Sequence, residues 1–112
     1  MRLENKKAGD ILIVRPLERS LDTDSAALFR ERMAAFIVDG NDRIVLNMTE
    51  IDFLDSTGLG AIVSSLKRLD GNGSLVLCGL SDMVRKVFEI TRMDKIFKIV
   101  PTEDAAILKL SS

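Results

Sequence analysis

Three short runs of consecutive apolar residues recur along this chain: Ile11–Val14, Ile44–Leu46 and Leu75–Cys78. Each lacks the polar alternation of a strand with one wet face, so each fits a strand buried on both sides. A strand buried on both sides needs helices to cover it. Stretches with apolar residues at helical spacing follow each run. Strand and helix alternate four times, which predicts an α/β fold with parallel pairing and right-handed crossovers. The expected sheet is mixed but mostly parallel, with about four or five strands and about four helices.

Residues 2–7 are weakly patterned and suit an edge strand, turned at Ala8-Gly9-Asp10 into the first apolar run, which ends at Pro16. That arrangement predicts an antiparallel hairpin at one end of the sheet. The spacing of Phe29, Met33, Phe36 and Ile37 predicts a helix over 22–39, capped by Asp22 or Thr23 and closed by Gly40. A second strand takes Ile44, Val45, Leu46 and Met48. A second helix follows Asp55-Ser56, with Leu59, Ile62, Val63, Leu66 and Leu69 on one face. Asp70-Gly71-Asn72-Gly73 signals a turn. Ser81 suits the cap of a third helix whose apolar face is Met83, Val84, Val87, Phe88 and Ile90. Ile96–Val100 reads as the last strand, and Pro101-Thr102 opens a final helix through Leu110.

Composition removes several functions. The 112 residues suit one domain, 1–112, and 46% hydrophobic content supplies a core without disulfide or metal. Sixteen basic and 17 acidic residues give a net charge of −1, so the basic face of a nucleic-acid binder is not expected. The absence of histidine removes histidine acid–base catalysis and histidine metal sites. A single cysteine, Cys78, excludes an intrachain disulfide and reads as a small core residue. No cofactor is expected. No apolar run approaches the roughly 20 residues that span a bilayer. The polar start, Met-Arg-Leu-Glu-Asn-Lys-Lys, has no signal-peptide apolar region behind it, so a cytoplasmic location without membrane insertion is expected. Arg85, Lys86, Arg92, Lys95 and Lys98 are interleaved with Glu89 and Asp94 and read as a solvated surface.

One segment is chemically suggestive: Ile51-Asp52-Phe53-Leu54-Asp55-Ser56-Thr57-Gly58-Leu59-Gly60. It joins a strand to a helix and places two hydroxyls and two glycines at the helix start. A helical glycine costs about 1 kcal/mol relative to alanine, so two there imply that something approaches the backbone closely. A phosphate-binding loop fits poorly, because the third glycine and the Walker Lys-Ser/Thr pair are missing. A serine nucleophile lacks both its G-x-S-x-G setting and a histidine base. Two readings remain. Ser56 or Thr57 simply caps the helix, or one of them is a regulatory phosphorylation site. Glu50, Asp52 and Asp55 make the segment acidic, and a phosphoserine adds about −1.5 to −2 charges there. A partner docked on this surface would then be repelled. Spacing alone leaves Ser56 and Thr57 equivalent as acceptors. Asp22 and Asp55 fit either helix capping or a partner contact, and Leu59 fits either the core or an exposed anchor.

The string Asp55-Ser56-Thr57-Gly58-Leu59-Gly60, preceded by Ile51-Asp52-Phe53-Leu54, resembles the signature of the STAS family, in particular its bacterial anti-sigma factor antagonists. Val45–Met48, Leu77–Ser81, Val84–Thr91 and the pair Leu21-Asp22 extend the resemblance over nearly the whole chain. The resemblance implies a non-enzymatic partner switch. Such a protein binds an anti-sigma factor that is also a serine kinase, and so frees the sigma factor. Phosphorylation by that kinase ends the binding, and a metal-dependent serine phosphatase restores it. By position the acceptor is Ser56. Asp22, Asp55, Thr57, Gly58, Leu59 and Gly60 fall on the kinase-contacting positions. A monomer or weak dimer is expected. One departure stands out: Arg19-Ser20 replaces the Gly-Glu common before the Leu/Ile-Asp pair. The competing classes are a stressosome-like scaffold subunit and a STAS subunit of a transport complex.

Overall fold

A computed structural model describes residues 1–111. The elements run β1 (Leu3–Ala8), β2 (Ile11–Pro16), β3 (Ser20–Leu21), α1 (Ala26–Val38), β4 (Arg43–Asn47), β5 (Phe53–Leu54), α2 (Ser56–Arg68), β6 (Ser74–Cys78), α3 (Asp82–Ile90), β7 (Lys98–Val100) and α4 (Glu103–Ser111). The main sheet has five strands in the order β1-β2-β4-β6-β7. β1 and β2 form the antiparallel hairpin, from Leu3↔Pro16 to Ala8↔Ile11, and every other pairing is parallel. Both sheet faces are covered, as the unbroken apolar strands require. On one face Leu12, Val14, Ile44, Leu46, Leu75 and Leu77 meet helix residues that include Phe29, Met33, Ile62 and Phe88. On the other, Ile11, Ile13, Val45, Val76 and Cys78 meet Ala106 and Leu110 of α4.

The structure moves several expected boundaries. α1 begins at Ala26 behind Ser25, not at Asp22 or Thr23. The reason is that Ser20 and Leu21 are used by a second, two-stranded sheet, in which β3 pairs with β5. α1 ends where expected. Gly40 adopts φ +103°, its N–H donates to Ile37 O, and the Asn41 N–H donates to Phe36 O, which satisfies the last-turn carbonyls. Met48 is fully buried but lies just past β4. On α3 the buried stripe is Val84 and Phe88, with Phe88 edge-on to Phe97 at a ring distance of 5.7 Å. Met83 and Ile90 flank that stripe and stay exposed. A single 3-10 turn over Met93–Lys95 delays the last strand to Lys98 and leaves Ile96 in solvent.

Candidate functional site

The small β3–β5 sheet builds the site. Its register is Ser20↔Phe53 and Leu21↔Leu54, and both leucines are buried beneath it. The chain therefore leaves the two strands with Asp22 beside Asp55. Asp55 is the N-cap of α2. Its Oδ1 accepts the Gly58 N–H at 2.8 Å. Its Oδ2 accepts the Thr23 N–H at 3.1 Å and the Thr23 hydroxyl at 3.2 Å. One carboxylate thus ties the start of α2 to the segment leading into α1. These donors, the Gly58 N–H first among them, hold the Asp55 carboxyl below its ordinary pKa. Asp22 shapes its own segment: its Oδ1 accepts the Asp24 N–H at 3.0 Å, and its N–H donates to Ser25 Oγ at 3.1 Å.

Gly58 explains one of the two glycines. A Cβ built there would lie 2.0 Å from Leu21 O and 2.7 Å from Leu21 C. The first turn of α2 presses directly on the β3 backbone. Gly60 has no such constraint, since its Cβ position has nothing within 4 Å. It lines a groove of about 440 Å³ along α2, together with Ser56, Leu59, Val63, Ser64 and Lys67. Leu59 is only 8% exposed, so the core reading prevails over the exposed-anchor reading, and only its edge meets the groove. Gly58 is buried as well.

The two hydroxyls are not equivalent. Thr57 Oγ1 lies 3.4 Å from Thr23 Oγ1, turned toward the α1 approach. Both residues are exposed, but only Ser56, at the first position of α2, borders the groove. The helix amino end beneath it carries a partial positive charge that favours an anion. Asp55 caps this helix start, Asp22 follows the paired strand, and Glu50 and Asp52 precede Asp55 in the segment leading to the helix. Among the described residues, no group of three or more acidic, cysteine or histidine side chains is arranged to hold a metal ion.

Sequence reading missed the role of Arg19. Its carbonyl accepts the N–H groups of Asp52, at 2.8 Å, and Phe53, at 3.2 Å. Its Nε and Nη2 both donate to Asp52 Oδ2, the former at 3.1 Å. That hydrogen bond and the Asp52 charge raise the guanidinium pKa further. The signal was present as a repeated Leu-Asp: laying Leu21-Asp22 beside Leu54-Asp55 puts Arg19 opposite Asp52.

A mostly parallel sheet with the Asp55-capped start of α2 beside a two-stranded annex defines a recognisable class. The chain belongs to the STAS domain family, which matches residues 2–106. Among its relatives, BtrV of Bordetella bronchiseptica is 33% identical over 107 residues, covering 95% of this chain and 91% of that protein. The anti-sigma-B factor antagonist of Listeria monocytogenes is 36% identical over 84 residues, 74% of each chain. The crystal structure of TM1081 from Thermotoga maritima superposes with a TM-score of 0.92 at 27% identity, over 98% of this chain and 95% of that one.

Proposed function

We propose that this protein is an anti-sigma factor antagonist, switched by phosphorylation of Ser56. The Listeria relative, an anti-sigma-B factor antagonist, supports the first half of that reading. The observation that carries the second half is the contrast between the two hydroxyls: both residues are exposed, but Ser56 borders the α2 groove, whereas Thr57 Oγ1 lies 3.4 Å from Thr23 Oγ1. In the unphosphorylated form the acidic surface and the α2 groove hold an anti-sigma factor kinase, and the sigma factor is released. The kinase then transfers the γ-phosphoryl group of ATP to Ser56 Oγ. The new O–P bond replaces the β–γ bond, ADP departs, and the hydroxyl proton leaves to a base on the kinase. A metal-dependent serine phosphatase hydrolyses the ester and restores the hydroxyl. This chain supplies surface and acceptor; the chemistry belongs to its partners.

The magnitude is adequate for a switch. The phosphate adds about −1.5 to −2 charges beside several carboxylates. A loss of about 2.7 kcal/mol in binding is a hundredfold. The helix start accommodates the group within the chain, so the penalty falls on the complex and not on the fold.

Two variants test the reading. Ser56→Ala removes the acceptor and should bind the kinase persistently in the presence of ATP. Ser56→Asp should bind weakly from the outset. Intact-mass and fragment mass spectrometry after incubation with kinase and ATP should place one phosphate on Ser56. Modification of Thr57 in its stead, or wild-type binding by both variants, overturns the switch. Elution of the purified chain as large assemblies would favour the scaffold class.

A further inference from the structure

The β3–β5 annex, whose register leads to Asp55 and the start of α2, carries one exposed cation just ahead of its first pair, Arg19. Arg19 is 85% exposed at its side chain and rests on Asp52, itself 49% exposed. An exposed pair of this kind contributes only about 0–1 kcal/mol to stability, so the fold does not depend on it. Both observed donations go to one oxygen, Asp52 Oδ2. A guanidinium has five N–H donors in a fixed fork, so most of its hydrogen-bonding capacity faces outward. The neighbouring cation, Arg15, is committed on two sides, to Glu4 at 2.8 Å and to Glu50 at 3.3 Å. The backbone fixes Arg19 firmly where its side chain does not: its carbonyl accepts from Asp52 and Phe53, one residue before the Ser20↔Phe53 pair. The same register carries Asp22, Asp55 and the start of α2. Arg19 is therefore held rigidly at the backbone, beside the proposed docking surface, with its charge on offer.

We infer that Arg19 is a partner-selecting residue, which reads a carboxylate on the docked kinase within a contact surface that is otherwise basic. The inference rests on the proposed function above, since it assigns a role within that complex. A basic kinase surface complements Asp22, Asp24 and Asp55. A kinase with a cation opposite Arg19 is repelled, and one with a carboxylate there exchanges it for Asp52 at little cost. Like-charge contacts inside an interface reject wrong partners more strongly than surface pairs stabilise a fold.

The probes are the purified anti-sigma kinases of the host, each titrated against wild-type protein and three variants. Arg19→Ala should weaken the cognate complex about tenfold, and Arg19→Glu at least about a hundredfold. The swap Arg19→Asp with Asp52→Arg keeps an internal ion pair but moves the positive charge to the other strand. It should stay as weak as Arg19→Glu. Raising the salt from about 0.15 M to about 1 M should shrink the differences, because the Debye length falls from about 8 Å to about 3 Å. Thermal melts should stay within about 4 °C of wild type throughout, since the pair is exposed. If wild type binds a kinase and Arg19→Glu binds it equally well, the inference fails while the proposed function stands. If the swap restores full binding, Arg19 acts only on local structure and the inference fails again. If no kinase binds wild type, the functional reading fails and takes the inference with it.

Discussion

Replacing Gly58 with alanine pits helix propensity against the close approach of two backbones. Propensity alone favours the variant by about 1 kcal/mol. Against it stands a Cβ placed 2.0 Å from Leu21 O, 2.7 Å from Leu21 C and 3.0 Å from Leu54 Cδ1. Carbon and oxygen settle at about 3.3 Å, so the helix start must retreat by roughly 1 Å. Two of the three crowding atoms are backbone, and no side-chain rotation relieves them. Overpacking of this kind costs about 1–3 kcal/mol. The retreat also stretches the 2.8 Å bond from the Gly58 N–H to Asp55 Oδ1. Loss of an N-cap costs about 0.5–2 kcal/mol. The net expectation is a destabilisation of about 2 kcal/mol, or a melting point lower by roughly 8 °C. Gly60→Ala is the control two residues on. With nothing within 4 Å of its Cβ, it should gain up to about 1 kcal/mol. The chain has neither tryptophan nor tyrosine, so urea melts are best followed by far-UV circular dichroism. A Gly58→Ala variant as stable as wild type, or a Gly60→Ala variant clearly less stable, would refute this account of the two glycines.

Two further measurements address single groups. The Asp55 carboxyl has a depressed pKa in the folded state, so its stabilisation is complete above the ordinary aspartate value of 3.8 and drains away as pH falls through the lower folded value. The stability difference between wild type and Asp55→Asn should therefore be constant near neutrality and shrink in acid; a difference that stays flat through the acid limb contradicts the capping role. Cys78 is 1% exposed, and burial pushes its thiol up to about 11. Thiol labelling of the native protein at neutral pH should be slower than in urea by on the order of a hundredfold or more, and equal rates would mean that the sheet opens readily at β6.

The main sheet was legible because its strands are buried on both sides and carry unbroken apolar runs. The first hairpin, the turn at Gly9, the caps at Gly40 and Ser81, and the covering helices followed from local chemistry; the cap of α2, left open among Asp55, Ser56 and Thr57, falls to Asp55. The β3–β5 annex was not legible, because two residues are too few to show a period. Leu21 looked like the approach to a helix, and its burial comes from a partner 33 positions later. The same non-local pairing moved the α1 start to Ala26. Met83 and Ile90 misled for a different reason: they lie within reach of the apolar arc of α3, but a helix of nine residues needs only Val84 and Phe88 to dock. In the candidate site, the motif from Asp55 to Gly60 was plain in sequence. What distinguishes Ser56 from Thr57, and Gly58 from Gly60, is the neighbouring Thr23 and Leu21, which only the fold brings near.

The annex touches the body of the protein through few constraints. Its alignment rests on two residue pairs, two buried leucines, the Arg19 carbonyl and the Asp55 carboxylate, whereas the main sheet is fixed by registers that run through every long strand. Exposed positions such as Arg19, Asp24 and Asp52 can thus change character without disturbing the five-stranded scaffold. Spacing is less forgiving. One residue inserted between Leu17 and Ser20 would slide Asp22 out of step with Asp55 and put Ser20 where Leu21 is buried. The annex surface is therefore open to substitution, while its spacing is held by the pairing of Leu21 with Leu54.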